Sequence, residues 1–352
     1  MNASPRKVLE SGVGAAVVVL VLIGPFVFND YWVSAILTQS LLFGIAAASV
    51  IFLSAYGGMV SLAQTALMGI AGFILGNMVT ERVAGGETKG LTLGWDPTLS
   101  LVLAILGTTL IALLFGALAS RSAGIYFLML TLTFAVIANY FFGQVTLVSG
   151  FSGIAGIDRY TPPWIGDVIA HPDKLYYIAA GTALFAYLLI RYVVRTPFGL
   201  GLQGVRDDPI RMASLGYNVA LHRTLAFAFA GFIASLAGVL YVWWQGQISP
   251  PDVGLGATIE LLVMAVIGGL WRIEGAWLGA FAFIVINNYV RDVEMPVVGG
   301  SFNTIIGLIF LAIVVVSPGG LMGLWGRATE LVQRGRRIGG GPVAAGRTGG
   351  GS

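Results

Sequence analysis

Leu99-Ser-Leu-Val-Leu-Ala-Ile-Leu-Gly-Thr-Thr-Leu-Ile-Ala-Leu-Leu-Phe-Gly-Ala-Leu-Ala-Ser120 is a run of twenty-two residues without one charge. A helix crosses a hydrocarbon core about 30 Å thick with roughly 20 apolar residues. This stretch is therefore long enough to span a membrane. Working outward from it, similar runs cover 11–28, 32–53, 58–80, 123–142, 175–194, 224–244, 257–271, 275–290 and 301–317. None carries a polar stripe, so each predicts a helix surrounded by lipid or by other helices. The ten-residue alternation of an outer-membrane barrel is missing. The predicted fold is an all-α polytopic membrane protein with about ten transmembrane helices. The run 257–271 is short and closes on Gly268-Gly269-Leu270, so it reads as a half-helix or as a full span.

Composition agrees. Of 352 residues, 57% are hydrophobic and only 10% charged, far below the share a soluble surface requires. Disorder needs the opposite balance. The 50 glycines follow no three-residue period, which excludes collagen. With no cysteine, the chain has no disulfide, thiolate nucleophile or Cys-ligated metal. Arg6 and Lys7 precede the first run, as in a signal peptide. That run ends in Phe26-Val-Phe-Asn-Asp30 with no small-residue cleavage pattern, so it reads as a retained span.

The charges orient the chain. With the N-terminus in the cytoplasm, fourteen of the nineteen lysines and arginines fall on inner segments. Arg82, Lys89, Arg159, Lys174 and Arg291 fall outside. The bias predicts a cytoplasmic location for both termini of an inner-membrane protein. The domain reading is a membrane domain over 1–334 and a disordered Gly-rich basic tail over 335–352. Two connections are long, 143–174 outside and 195–223 inside.

Ionisable groups at membrane depth, which a proton-coupled pump needs, are scarce. His171 and His222 have no partner at ligand spacing, so no metal site is expected. No G-x-x-x-x-G-K-[ST] motif exists. Gly150, Gly153 and Gly156 do not form a dinucleotide fingerprint. Glu260 reads either as a substrate contact or as an anion in the first turn of a helix capped by Thr258. Ser61, Gln64, Thr131, Thr133 and Asn139 are polar positions within spans, suited to interhelical hydrogen bonds or to a pocket. Gly72-x-x-x-Gly76 and Gly275-x-x-x-Gly279 permit close helix packing.

The inner connection 195–223 carries a compact helix pattern. Asp208 suits the N-cap, Pro209 the first helical position and Gly216 the left-handed C′ position. The two turns over 209–215 are mostly apolar or small and are flanked by Arg206 and Arg211. So short a helix persists only if something packs on it. An ordinary basic inner loop and a docking element for a cytoplasmic partner both fit.

Here a resemblance enters. Gly199 to Tyr217, with Asp207-Asp208-Pro209-Ile210, Ala213 and Leu215-Gly216, resembles the coupling loop of bacterial ABC importer permeases. The following Leu225–Tyr241 resembles the next helix in the LivM-type branched-chain amino acid permeases. Tyr56-Gly-Gly-Met-Val-Ser-Leu-Ala63, Gly124-Ile-Tyr126-Phe127 with Thr131-Leu-Thr-Phe134, Gly150–Gly156, Ser249-Pro-Pro, Ile259-Glu-Leu-Leu262 and Ser317–Gly323 resemble the same family in order. The likeness covers roughly 30–330. It departs at Ala63-Gln64, where the family usually has a second glycine, and at Arg211 and Met212, where it usually has a Glu. Permeases for urea, sugars and nucleosides share the scaffold.

The resemblance implies a permease subunit of an ABC importer for branched-chain or related amino acids, not itself an enzyme. Its partners would be a sister permease, two cytoplasmic ATPases that use ATP and Mg, an external binding protein and the lipid bilayer, with no nucleic acid and no cofactor of its own. Arg206, Asp207, Asp208, Pro209, Arg211, Ala213 and Gly216 would couple to the ATPases. Gly58, Ser61, Gln64, Tyr126, Thr131, Asn139 and Glu260 would form the substrate pathway. Gly57-Gly58 is the expected helix break, either to present a helix N-terminus to a substrate carboxylate or simply as a tight turn. The alternatives are an autonomous secondary transporter or channel and a structural scaffold.

Overall fold

A computed structural model of the chain describes residues 31–81, 90–166 and 171–290, together with positions 29, 168, 307, 311 and 320–323. The expected spans 11–28 and 301–317 and the tail 335–352 lie outside the described residues, apart from 307 and 311. So do the terminal arginines that weigh in the orientation.

Among the described residues, ten α-helices follow in order: α1 (Trp32–Gly57, with its first turns π-helical over Trp32–Thr38), α2 (Gln64–Val79), α3 (Pro97–Ala119), α4 (Ile125–Gln144), α5 (Pro172–Arg195), α6 (Pro197–Asp207), α7 (Pro209–Ser214), α8 (Val219–Gln245), α9 (Leu255–Gly268) and α10 (Gly275–Val290). Helices α1, α3, α4, α5 and α8 are long and apolar enough to cross a membrane; α2, α9 and α10 are apolar but shorter. The protein is thus a multi-pass helical membrane protein.

Local chemistry sets several boundaries. Asp96 caps α3 by accepting from the Thr98 amide at 2.7 Å, with Pro97 at the first helical position. Asn218 caps α8 by accepting from Leu221 at 3.0 Å, and Gly246, at φ +72°, ends that helix.

Helix α8 is the axis of the bundle, packed on α3, α2 and α1, while α10 packs on α1 and α9. Contact here is close because small residues line it. A Cβ at Gly238 would lie 1.9 Å from the Met68 carbonyl oxygen, and one at Gly279 would lie 2.0 Å from that of Met264. Gly72 and Gly76 sit likewise against Val242 and Ile157. Such contacts replace the hydrophobic drive that lipid cannot supply between helices. Helix α3 shows the division of faces. Ser100, Ala104, Thr108, Ala112 and Gly116 are buried at four-residue intervals, whereas Leu99, Leu106, Leu110, Leu114 and Leu118 are exposed. A leucine ridge left open is at home in hydrocarbon.

Three features differ from the sequence reading. The third span, expected as a helix from 58, is helical only from Gln64, and residues 58–63 are irregular. Helix α6 stands where only loop was expected. Thr196 caps it, its hydroxyl accepting from Gly199, and Gly199, Gly201, Leu202 and Val205 turn inward at helical spacing. Lastly, the all-α fold includes a small ribbon. Ile154–Ala155 pairs antiparallel with Gln247–Ile248 and joins the 145–171 connection to the one after α8.

Candidate functional site

Two irregular segments penetrate the bundle from opposite ends. The first, 58–63, leads from α1 into α2. Met59, Ser61 and Ala63 in it are buried. The second, 246–254, leads from α8 into α9, and its Val253 packs on Gly69 of α2. Irregular backbone at membrane depth persists only where protein or a cavity surrounds it. The two segments bring the first turns of two half-helices, α2 and α9, to one narrow crevice. Val50, Ser61, Leu62, Gln64, Thr65, Thr258, Leu261 and Leu262 line it, and it is closed so tightly that no water molecule fits.

The polar groups at this crevice satisfy one another. Gln64 is fully buried. Its amide nitrogen donates to Ser61 Oγ at 3.4 Å, and its carbonyl oxygen accepts from Ser49 Oγ at 3.3 Å. Ser61 Oγ also accepts from the Ala63 amide, and Thr131 Oγ1 accepts from the Leu62 amide at 3.1 Å. Asn139 lies on the same flank of the bundle and donates to the Pro250 carbonyl at 2.7 Å, holding the second segment.

Ser61, Gln64 and Thr131 therefore meet, whereas Asn139, about 12 Å further along α4, holds the other segment. Tyr126 and Glu260 do not join them. Tyr126 is 74% exposed, and five residues from Thr131 put it about 140° around α4. Glu260 is exposed as well, because two residues from Thr258 are about 200° around α9. The expected cap on Glu260 is also corrected. Helix α9 starts at Leu255 with Gly254 as N-cap, and Thr258 Oγ1 donates back to the Gly254 carbonyl at 2.9 Å. Glu260 consequently lies in the second turn. Thr258 itself, not expected in the site, lines the crevice; its three-residue spacing from Leu261 is the pattern that marks a shared face.

The end of the bundle at which α1 terminates carries α6 and α7. Asp208 caps α7, its Oδ1 accepting from Ile210 at 3.1 Å and Arg211 at 2.9 Å, with Pro209 first in the helix and Gly216 at φ +89° after it. One side chain anchors this short helix: Met212 lies against Gly204 of α6, its sulfur 2.8 Å from where a Cβ would stand. Asp208, Arg211, Ala213 and Gly216 are exposed, as are Ile210 at 79% and Leu215 at 67%. Behind α7, His222 sits between the rings of Phe198 and Tyr217, at 5.6 and 5.5 Å, and its Nδ1 meets the Asn218 carbonyl at 3.0 Å.

Arg206 turns the other way. Its Nη1 donates to the Ala55 carbonyl, in the last turn of α1, and its Nε and Nη2 hold Asp207 Oδ1 at 2.8 and 2.7 Å. Its stem crosses Gly58, where a Cβ would stand 2.6 Å from Cγ. Gly58, at φ +65°, ends α1 with its amide bonded to Ser54 and that of Met59 bonded to Leu53. Nearby, Glu274 accepts from Tyr187 Oη at 3.0 Å and pairs with Arg191 at 3.4 Å, joining α5 to the turn before α10.

Broken apolar helices around a central crevice, with a capped helix projecting at one end, describe a membrane permease. The chain belongs to the family of branched-chain amino acid transport system permease components, whose model matches residues 32–317. Among curated relatives, the high-affinity branched-chain amino acid transport system permease protein LivM of Escherichia coli is 27% identical over 118 residues, 34% of this chain and 28% of that protein. The "Probable branched-chain amino acid transport permease protein LivM" of Methanocaldococcus jannaschii is 22% identical over 311 residues, 80% and 84% of the two chains. The autoinducer 2 import system permease protein LsrC of Klebsiella pneumoniae is 30% identical over 128 residues, 35% of this chain and 36% of that one. The match to the E. coli and Klebsiella proteins thus spans little more than a third of their length at most. No solved structure matches the chain.

Proposed function

We propose that this chain is the membrane-spanning subunit of an ABC importer that carries branched-chain or related amino acids into the cytoplasm. In this reading it works beside a sister permease, two ATPases that use ATP and Mg, and an external substrate-binding protein. The observation that carries the reading is the exposed helix α7. It is capped at its N-terminus, anchored from beneath by Met212, and presents Ile210 and Leu215 to a partner. The sequence holds no P-loop, which fits a subunit driven by separate ATPases.

The crevice supports the substrate class. The α2 and α9 half-helices bring first-turn residues to it, and a helix N-terminus favours a carboxylate. Val50, Leu261 and Leu262 supply apolar wall for a branched side chain. In the closed arrangement Gln64, Ser61 and Ser49 occupy one another, and opening would release them to a polar headgroup. A second reading, transport of a sugar-like solute, draws on the LsrC relative.

The test is uptake of radiolabelled leucine by proteoliposomes holding the permease pair, the ATPases and the binding protein. Uptake should require ATP. Robust uptake by this chain alone under an ion gradient would overturn the proposal in favour of a secondary transporter.

A further inference from the structure

We propose that Arg206 is a positioning residue that ties the motion of α7 to the helix break at 58–63, and so to the crevice. The proposal rests on the reading above, in which α7 meets an ATPase.

The contacts are continuous. Helix α7 is bound to α6 by Asp208, which ends one helix and caps the next, and by Met212 on Gly204. Arg206 lies in the last turn of α6. Its guanidinium takes the Ala55 carbonyl, one of the acceptors that a helix C-terminus leaves unpaired. A cation at that position also opposes the negative end of the α1 dipole. Asp207, the last residue of α6, holds the guanidinium from within the same helix. The stem presses on Gly58, the left-handed residue from which the irregular segment departs. Ser61, which lines the crevice, follows three residues later.

The geometry is selective. Ile210 and Leu215 are exposed, whereas Arg206, from the same connection, turns onto the end of α1. A pull on α7 therefore reaches the α1–α2 junction through α6, whose Leu202 lies beside Gly57 and whose Arg206 makes the hydrogen bond to the end of α1. Contiguity alone does not demonstrate transmission, so the test reads coupling.

In the reconstituted complex, leucine imported per ATP hydrolysed is measured for Arg206→Gln, Arg206→Lys and Gly58→Ala. Arg206→Gln should leave ATPase co-purification intact and lower the ratio about fivefold or more. Arg206→Lys keeps one donor and the charge and should recover part of it. Gly58→Ala moves the seat of Arg206 from the other side and should lower the ratio as well, which provides the reading should Arg206→Gln not fold. An unchanged ratio in Arg206→Gln overturns the proposal. Joint loss of co-purification and uptake overturns it too, because Arg206 would then act in docking. Ile210→Asp tests the underlying reading separately. If it leaves ATPase co-purification unchanged, α7 is not the docking element, whatever Arg206 does.

Discussion

The hydroxyl of Thr131, on α4, accepts a hydrogen bond from the backbone amide of Leu62 at 3.1 Å, and the same hydroxyl donates to the Leu128 carbonyl at 2.9 Å. One side chain thus supports irregular backbone that no neighbouring turn of helix serves. Thr131→Val keeps the shape and removes the acceptor, leaving a partly buried amide without its partner at a cost of about 1 kcal/mol or more. The expected result is a lower unfolding temperature in detergent and reduced uptake, with Thr131→Ser near the original values. Equal stability of the Val variant would show that the bond does not hold the break.

Asp208 accepts from two amides at the start of a six-residue helix. Asp208→Ala should cost about 1 kcal/mol of local stability, a large share for so short an element. ATPase co-purification should weaken while the unfolding temperature of the whole chain barely moves, since nothing in the bundle depends on the cap. Asp208→Asn should retain most of the association.

Gly238 and Gly181 make a matched pair. A Cβ at Gly238 meets the Met68 carbonyl at 1.9 Å, and one at Gly181 meets nothing within 4 Å. Gly238→Ala should destabilise by roughly 1–3 kcal/mol through overpacking, read as lost folded yield and a lower unfolding temperature. Gly181→Ala should be neutral or slightly stabilising, as expected for a helix interior.

Gln64→Glu separates the substrate readings. In the closed crevice a buried Glu would be protonated, but once the crevice opens to water and solute its carboxylate would repel an amino acid's own carboxylate. KM for leucine should rise about tenfold, equivalent to about 1.4 kcal/mol, at equal amounts of purified complex. A sugar carries no such charge, and its KM should change far less. Parallel uptake curves for both solutes give the answer.

Much of this architecture is legible in the residues. The eight runs between 32 and 290 each mark a real helix, because crossing lipid imposes a length that hydropathy records. Helix α7 is legible for another reason: Asp208, Pro209 and Gly216 are backbone instructions read without tertiary context. The start of α2 is not. Met59, Ala63 and Leu67 look equally apolar, but that run is helical only from Gln64 onward, since buried irregular backbone is as hydrophobic as buried helix. Helix α6 is overlooked because four glycines between 199 and 216 suggest loop, although Gly199 and Gly201 are packing positions. Among the site residues, Ser61, Gln64 and Thr131 meet, whereas Tyr126 and Glu260 face outward. A linear motif names the neighbourhood but not the angle around the helix.

The dryness of the crevice has an electrical meaning. With no room for water, and with the hydroxyls and amide of Ser49, Ser61 and Gln64 engaged with each other, a cation entering it would have to shed its hydration without replacement ligands. The penalty for moving an ion into such a medium is several kcal/mol even after relaxation. In this arrangement the crevice is thus a poor path for an ion.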